Sequence, residues 1–231
     1  MPVLLASQPC GTGLADIWMT DRSDGDFNVD RADHADMRRR QSLLSPNPWA
    51  MLDEQHGAGV VTVNDQVPAW TTVGDALVHD GQLATLAGWV GDCAPVALIG
   101  DNGWYGVAHA GWRGLARGIL RNTVSAVRGF GAVTVTAVLG PCVHSCCYDF
   151  GAADLVAVAD AIGCDPVLIR SQSHRGSESL DMVAAVRADL RGCNVEMTDA
   201  SVCTACSGRY WSHRRGADRG RQAMFVQWRT R

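Results

Sequence analysis

The 231-residue sequence lacks a long apolar run, a Pro/Gly/Ser-rich linker and an internal repeat. Without about 18 consecutive apolar residues, we expect no membrane-spanning helix. Residues 1–13 have neither the basic start nor the apolar centre of a signal peptide, so a cytoplasmic location is expected. Because no linker or repeat divides the chain, a single domain is predicted over residues 1–231, with residues 1–40 the least clearly patterned.

A strong excess of charge is also absent, since 20 Lys and Arg residues face 24 Asp and Glu residues and the formal net charge is −4. A charge this small does not favour binding to nucleic acid or to an anionic membrane surface. The composition is 47% hydrophobic, which suffices for a full core in a chain of this length. We therefore expect a globular protein that acts on small molecules, with a monomer as the simplest assembly.

Disulfide bonds are not expected, although the sequence has nine cysteines. Nine is an odd number and the chain shows no secretion signal, so free thiols are the better interpretation. Most free cysteines are small buried hydrophobic residues. The Cys203-Thr-Ala-Cys206 motif shows neither the four ligands of a structural zinc nor a thioredoxin-like context, so no function is assigned to it.

Apolar periodicity predicts a mixture of strands and helices. The turn at residues 100–103 separates two β-branched runs, 94–99 and 104–108, which we expect to pair as an antiparallel hairpin. Cys93 and His109 are therefore expected to be neighbours. The other predicted elements are strands at 59–63, 83–90 and 132–139 and helices at 37–44, 115–130, 152–162 and 181–191. This mixture indicates an α+β or a layered α/β fold rather than a purely parallel series.

Three residues suited to metal binding, His56, Cys93 and His109, each lie at a predicted strand end or turn. Two imidazoles and one thiolate suit zinc, and three protein ligands leave a fourth position open, as in catalytic zinc sites. The intervals of 37 residues (56 to 93) and 16 residues (93 to 109) match no compact metal motif. From spacing alone, a buried cysteine and two structural histidines remain the more common interpretation.

Four motifs that follow one another in order favour the metal site. They are Gly-Asp-Cys-Ala-Pro-Val from residue 91, His-Ala-Gly-Trp-Arg-Gly from residue 109, Gly-Pro-Cys-Val-His-Ser-Cys-Cys-Tyr-Asp from residue 140, and Tyr-Trp-Ser-His-Arg-Arg from residue 210 with Gly220-Arg221. Over about residues 50–228 the chain thereby resembles the YfiH-type multicopper polyphenol oxidoreductase (laccase) and purine nucleoside phosphorylase family. The resemblance implies a layered α-β-β-α domain with mixed sheets. It also implies a zinc site, with copper as the alternative metal, formed by His56, Cys93 and His109.

The resemblance further implies phosphorolysis of adenosine, inosine, guanosine and methylthioadenosine to base and ribose 1-phosphate, and deamination of adenosine to inosine. Purine nucleosides and phosphate are then the partners. Phosphorolysis needs cationic groups that hold phosphate near the anomeric carbon. Arg113 starts a predicted helix whose free N–H groups also favour anions, and it is the first phosphate candidate, with a surface arginine as an equal alternative. Trp112 and Tyr148 are candidates to lie near the base.

Three further residues are assigned through the family motifs. Arg38 partly matches the arginine of an Asn-Arg pair and is the second phosphate candidate, with a solvated basic face as the alternative. Asp75 is a candidate to orient a ligand imidazole or contact substrate, with a helix or turn cap as the alternative. Cys147 is a candidate to line the pocket, although a buried structural thiol is the more common role.

The chain departs from the family pattern directly before the first candidate ligand. Glu54-Gln55 replaces the family's Gln-Val before the first histidine, which adds a negative charge near the site and removes no ligand.

The alternative enzyme is an amidase that edits peptidoglycan precursors with Cys93 as nucleophile and His109 as base. A copper polyphenol oxidase is disfavoured because the seven histidines contain no His-X-His pair. A non-catalytic protein that keeps the fold is a further alternative.

Overall fold

The computed structural model describes residues 1–64, 66–80 and 84–231. Its strands are β1 (Val3–Cys10), β2 (Gly13–Met19), β3 (Trp49–Ala50), β4 (Val60–Thr62), β5 (Ala76–His79), β6 (Thr85–Val90), β7 (Ala94–Gly100), β8 (Tyr105–Ala110), β9 (Val135–Leu139), β10 (Arg170–Gln172), β11 (Glu178–Leu180), β12 (Glu196–Asp199) and β13 (Gln222–Thr230). Its helices are α1 (His34–Leu44), α2 (Trp112–Ala116), α3 (Ile119–Gly129), α4 (Ala152–Ile162), α5 (Met182–Gly192), α6 (Thr204–Ser207) and α7 (His213–Gly216). Within the described residues, no helix has both the length and the apolar character that a bilayer crossing requires.

Two mixed sheets form the centre of the molecule. The first has the strand order β1-β2-β13-β6-β3, and the second has the order β12-β9-β7-β8-β5-β4. Most neighbouring strands are antiparallel, whereas the pairs β3–β6, β4–β5 and β9–β12 are parallel. The short strands β10 and β11 pair separately as a hairpin. The chain is therefore an α+β protein with mixed sheets, as its sequence predicts.

Three apolar cores divide the molecule into four layers. Alternate residues of a strand point to opposite faces of its sheet, so each sheet supplies two of these cores. Leu86 and Val226 lie in the core between the two sheets. Phe225, next to Val226 in β13, packs with Met37 of α1 on the outer face of the first sheet. Val124 of α3 lies in the core on the outer face of the second sheet. This arrangement is the predicted α-β-β-α layering.

The predicted hairpin that carries the site is confirmed. Strands β7 and β8 pair antiparallel, with Pro95 opposite His109, so the residue that precedes β7 lies beside the end of β8. The predicted strand at 83–90 corresponds to β6, while Leu83 lies outside the described residues. The hairpin therefore brings Cys93 next to His109 through backbone pairing alone.

The first 20 residues contain two strands that the sequence pattern does not indicate. Strands β1 and β2 form an antiparallel hairpin, and β2 pairs with β13. Every described pairing of β1 is with β2, so β1 lies at the edge of its sheet. Most of its side chains are half-exposed or exposed, and the alternation of apolar and polar residues along the strand is therefore weak. Gly11, at φ 58°, makes the turn between β1 and β2. Long-range pairing with the last strand, which no local pattern reveals, therefore fixes this segment.

The prediction of a single helix over residues 115–130 is wrong in one respect, because this segment belongs to two helices. Gly118 separates α2 from α3 with φ 89°, a left-handed conformation that favours glycine. Its N–H donates to the carbonyl of Leu115 at 3.0 Å, which ends α2. The apolar spacing is continuous across the break, so periodicity alone does not reveal it. The break leaves α2 as a short helix directly after the end of β8.

Asp189 of α5 is buried and faces Arg121 of α3. Its side chain is 1% exposed, Oδ1 lies 2.5 Å from an Arg121 guanidinium nitrogen, and Oδ2 accepts no hydrogen bond among the described residues. Burial raises the pKa of Asp189 to about 6, against the opposing effect of the Arg121 charge. Because the pKa is higher in the folded than in the unfolded state, the unfolded state loses its proton first and stability declines as pH rises from about 4 to 6.

We expect Asp189→Asn to remove a pH-dependent loss of about 3 kcal/mol in the free energy of unfolding across that range. The measurement is urea unfolding of the variant and the wild type at a series of pH values. Asp154→Asn, at an exposed position in the first turn of α4, is the matched control and should leave the decline unchanged. Parallel stability curves for Asp189→Asn and the wild type would contradict the assignment.

Candidate active site

His56, Cys93 and His109 come together at one end of the second sheet. His109 belongs to β8, Cys93 immediately precedes β7, and His56 lies in the loop before β4. One ligand atom from each residue lies within 4.8 Å of the other two. Cys93 Sγ is 3.7 Å from His56 Nε2, and the two imidazole rings have centroids 4.8 Å apart. The fold thus brings together three residues that are far apart in the sequence.

Asp75 holds the loop that presents His56. Its carboxylate accepts the backbone N–H groups of Gln55 at 3.3 Å, His56 at 2.8 Å and Gly57 at 2.7 Å. His56 has φ 57°, a left-handed conformation that costs a residue other than glycine about 1–3 kcal/mol. The guanidinium of Arg117 also donates to the His56 carbonyl at 2.9 Å. These contacts stabilise a strained backbone that points the imidazole toward Cys93.

Asp75 also orients the second imidazole. Its Oδ1 lies 3.0 Å from His109 Nδ1, and its carbonyl accepts the His109 backbone N–H at 2.8 Å. The ring therefore carries its proton on Nδ1 and leaves Nε2 free as a ligand atom. Burial on its own raises the pKa of Asp75, but hydrogen bonds from His109 and the Gly57 N–H outweigh it and hold that pKa below its ordinary value.

Glu54 is a buried acid beside the same imidazole. Its side chain is 4% exposed, Oε1 accepts the backbone N–H of Trp89 at 3.0 Å, and Oε2 lies 3.4 Å from His109 Nδ1. Burial raises the pKa of Glu54 to about 8, against the opposing charge of His109. Burial lowers the pKa of His109, yet the negative charges of Glu54 and Cys93 outweigh it and raise that pKa well above the ordinary value.

Cys93 is suited to act as a thiolate. Burial raises its pKa, but the charge of His109 and hydrogen bonds from His109 and His56 outweigh burial and bring the pKa to about 6. A β-carbon added to Gly111 would lie 2.8 Å from His56 Cδ2 and 2.9 Å from Cys93 Sγ, so the backbone closes over the site. One thiolate and two oriented imidazoles fit a zinc ion, and three protein ligands leave a fourth position for substrate or water.

A cavity of about 510 Å³ opens over these three residues. Trp112 and Tyr148 line it, as do Glu54 and four arginines: Arg31, Arg113, Arg214 and Arg221. Within the described residues, none of these four guanidinium groups forms an ion pair with a carboxylate. Arg214 lies over the Tyr148 ring at 4.6 Å and Arg113 over the Trp112 ring at 4.2 Å. One nitrogen of Arg214 also donates to the Asp149 carbonyl at 3.5 Å, and the stacked geometry leaves the other N–H groups of the two guanidinium groups available to an anion.

The structure does not bring all of the predicted site residues together. Arg113 lines the cavity, and Asp75 lies beside the trio of His56, Cys93 and His109 without lining the cavity. Cys147 lines a neighbouring cavity of about 290 Å³. Arg38 lines a separate cavity of about 710 Å³, where its guanidinium lies 5.6 Å from the centre of the Trp70 ring. As substrate contacts, Arg38 and Cys147 therefore remain predictions without a place in the cavity that holds Cys93.

The sequence alone assigns no role to Arg31, Arg214 or Arg221. Arg31 follows an irregular segment, and only the packing of that segment against the cavity reveals its place. The Tyr-Trp-Ser-His-Arg-Arg motif was a usable signal for Arg214, which is the fifth residue of that motif. Glu54, which departs from the family pattern, is buried beside His109 in the structure.

Comparison with known proteins identifies the family. Residues 21–229 match the family described as multi-copper polyphenol oxidoreductase laccase. The purine nucleoside phosphorylase ORF3 of Streptomyces griseus is 32% identical over 79% of this chain and 75% of that protein. The purine nucleoside phosphorylase of Aquifex aeolicus is 37% identical over 78 residues, a shorter stretch that covers 34% of this chain and 37% of that protein.

A solved structure shows the same fold. The crystal structure of Neisseria meningitidis protein NMB0706 superimposes with a TM-score of 0.82 and covers 98% of each chain at 23% sequence identity. The family match spans residues 21–229, and the relative at 32% identity is matched over 79% of this chain. The chain belongs to the multi-copper polyphenol oxidoreductase laccase family.

Proposed function

We propose that this cavity catalyses phosphorolysis of purine nucleosides, with adenosine, inosine, guanosine and methylthioadenosine as the substrate class. The observation that carries the proposal is the set of four arginines without carboxylate partners around the His56, Cys93 and His109 trio. A nucleoside phosphorylase must bind a phosphate dianion beside an uncharged nucleoside, and arginine is the side chain best suited to such an anion. The relatives named purine nucleoside phosphorylase support the same reaction.

In this proposal the cavity places phosphate against the anomeric carbon of the nucleoside. Arg113 and Arg214 hold the phosphate, while Trp112 and Tyr148 provide aromatic surface for the purine. A phosphate oxygen forms the new bond to C1′ and the bond from C1′ to N9 breaks. The purine leaves with the electron pair of that bond and takes up a proton. A zinc ion held by the trio supplies a Lewis acid when bound. Asp75 is a positioning residue that fixes the His109 tautomer.

The test is incubation of purified, metal-quantified protein with adenosine in the presence and absence of phosphate. We expect adenine and ribose 1-phosphate to form only with phosphate, and Cys93→Ala to abolish both. Inosine is measured in the same samples, because inosine without adenine would indicate deamination of adenosine. Absence of any purine turnover by zinc-loaded protein would refute the proposal.

One contact favours a second candidate function. The 3.7 Å separation of Cys93 Sγ and His56 Nε2 is also that of a thiol–imidazole pair, and it suits a Cys/His amidase acting on peptidoglycan precursors with His56, in place of the His109 expected from the sequence, as the base. Metal removal distinguishes the two functions. An amidase should keep its activity on a muropeptide in the presence of a chelator and lose it on alkylation of Cys93, whereas the phosphorylase should lose activity with the metal.

The arginines should control the affinity for phosphate. We expect Arg113→Ala and Arg214→Ala each to raise the KM for phosphate about tenfold, the size of one lost charge-assisted hydrogen bond, with a smaller change in the KM for nucleoside. Initial rates at varied phosphate check this. Arg128→Ala, in the last turn of α3 and away from the cavity, is the control and should change neither constant. An increase confined to the nucleoside KM would contradict the assignment.

A further inference from the structure

A second cluster of metal-binding side chains lies outside the active cavity. Cys146, Cys147, His174 and Cys206 each offer one ligand atom, and these four atoms all lie within 4.8 Å of one another. Cys206 Sγ is 3.6 Å from Cys146 Sγ and 3.4 Å from Cys147 Sγ. His174 and Cys206 are exposed and the other two are half-buried, so solvent reaches the cluster.

Three separate segments deliver these residues. Cys146 and Cys147 lie in the 3₁₀ turn Ser145–Cys147, and Cys206 lies in α6. His174 lies in the loop between β10 and β11, and its backbone N–H donates to the Cys146 carbonyl at 2.9 Å. The convergence of three thiols and an imidazole from distant parts of the chain distinguishes this arrangement from an isolated Cys-X-X-Cys motif.

We propose that Cys146, Cys147, His174 and Cys206 bind a second metal ion, zinc, in a closed tetrahedral site. Three thiolates and one imidazole complete the ligand set of a structural zinc ion. Zn–S bonds of about 2.3 Å at tetrahedral angles separate two sulfurs by about 3.8 Å, close to the separations found here. Each thiol releases its proton to solvent as it coordinates, and no electron is transferred.

A disulfide explains the cluster less well than zinc. One disulfide uses two sulfurs and leaves the third sulfur and the imidazole without a role, whereas one zinc ion engages all four. Three thiolates and Zn²⁺ carry a net charge of −1, and the same cavity of about 290 Å³ is lined by Arg175, Arg214 and Arg215 and by one carboxylate, Asp149, which pairs with Arg175 at 3.4 Å. Cationic side chains around the cluster therefore balance the charge of the filled site.

The second site would fix one wall of the active cavity. Tyr148 follows Cys147 directly, and Arg214 lines both cavities. Asp92, the neighbour of Cys93, accepts hydrogen bonds from Thr204 Oγ1 in α6 at 2.6 Å and from the Arg214 N–H at 2.9 Å. Zinc at this cluster would thus hold α6 and α7 against the end of the Cys93 segment. The inference does not depend on which reaction the active cavity catalyses.

Metal stoichiometry and the spectrum of the cobalt-substituted protein test the proposal. We expect wild-type protein to bind two Zn²⁺ or Co²⁺ ions, and Cys206→Ser and Cys93→Ser each to bind one. The thiolate-to-cobalt absorption separates the two sites, because one contains three thiolates and the other contains one. Cys206→Ser should therefore lose about three quarters of that absorption and Cys93→Ser about one quarter. Cys164→Ser, at a thiol in neither cluster, is the control and should bind two ions.

Two further measurements keep the test decisive if Cys206→Ser fails to fold. His174→Ala changes an exposed side chain, and it should retain the fold by circular dichroism while releasing its second metal to a chelator at least tenfold faster than the wild type. Cys203→Ser tests the remaining nearby sulfur, 3.6 Å from Cys146, and should leave that rate unchanged. A metal content that Cys206→Ser leaves at the wild-type value, a Cys147–Cys206 disulfide in protein purified under reducing conditions, or a chelator rate that depends on Cys203 instead of His174 would each overturn the proposal.

Discussion

Gly111→Ala is expected to abolish metal binding at His56, Cys93 and His109 while the fold remains intact. The added β-carbon would lie 2.8 Å from His56 Cδ2 and 2.9 Å from Cys93 Sγ, closer than real β-carbons approach their neighbours. Both ligands must then move, and the distance between them no longer suits one ion. Gly111 has φ −67° and ψ 158°, a conformation that alanine adopts freely, so the backbone itself is not strained.

The expected magnitude is a decrease of about 100-fold or more in purine phosphorolysis, because a displacement of roughly 1 Å at a reacting centre has an effect of this size. Metal content per chain is the primary measurement, since it does not depend on the reaction that the site performs. Gly129→Ala is the matched control, because its β-carbon would meet nothing within 4 Å. Wild-type zinc content in Gly111→Ala would show that the trio does not share an ion.

The sequence alone predicts the part of the site that depends on local pairing. The turn at residues 100–103 and the runs on either side of it place Cys93 beside His109, and β7 and β8 pair as expected. His56 is different, because its approach depends on a left-handed backbone held by Asp75, which is 19 residues away in sequence. No periodicity encodes such a contact, so the sequence offers His56 only as a candidate, and the family resemblance alone favours a ligand over a structural histidine.

Residues that reach a site from distant segments are the ones that sequence reasoning misses. Arg31 reaches the cavity from a segment that hydrogen-bonds to the C-terminal part of the chain, where Phe27 N–H donates to the Arg221 carbonyl at 3.0 Å and Asn28 Nδ2 donates to the Arg219 carbonyl at 3.1 Å. The Cys203-Thr-Ala-Cys206 motif showed two cysteines and no further ligands, because Cys147 and His174 come from other elements. The Cys-X-X-Cys motif is visible in the sequence and Arg31 belongs to no motif, but in both cases tertiary packing determines the spatial partners.

Asp75→Asn is expected to lower both metal affinity and stability, because a single carboxylate serves both histidines. An asparagine keeps one carbonyl oxygen, whereas its NH₂ group would face backbone N–H groups that the carboxylate now satisfies. The left-handed backbone at His56 and the Nδ1 proton of His109 then lose their common acceptor. We expect a loss of about 10–100-fold in metal affinity and a decrease of about 2–4 kcal/mol in the free energy of unfolding.

The pH dependence separates the charge of Asp75 from its shape. Its pKa in the folded state is lowered from 3.8, so the carboxylate contributes its full stabilisation above about pH 4, and that contribution is lost as pH falls through the folded pKa. The difference in unfolding free energy between metal-free wild type and Asp75→Asn should therefore be constant near neutral pH and shrink in acid. Asp154→Asn at an exposed position should change stability by less than about 0.5 kcal/mol at any pH. A difference for Asp75→Asn that does not shrink in acid would mean that the shape of the side chain, and not its charge, holds His56 and His109 in place.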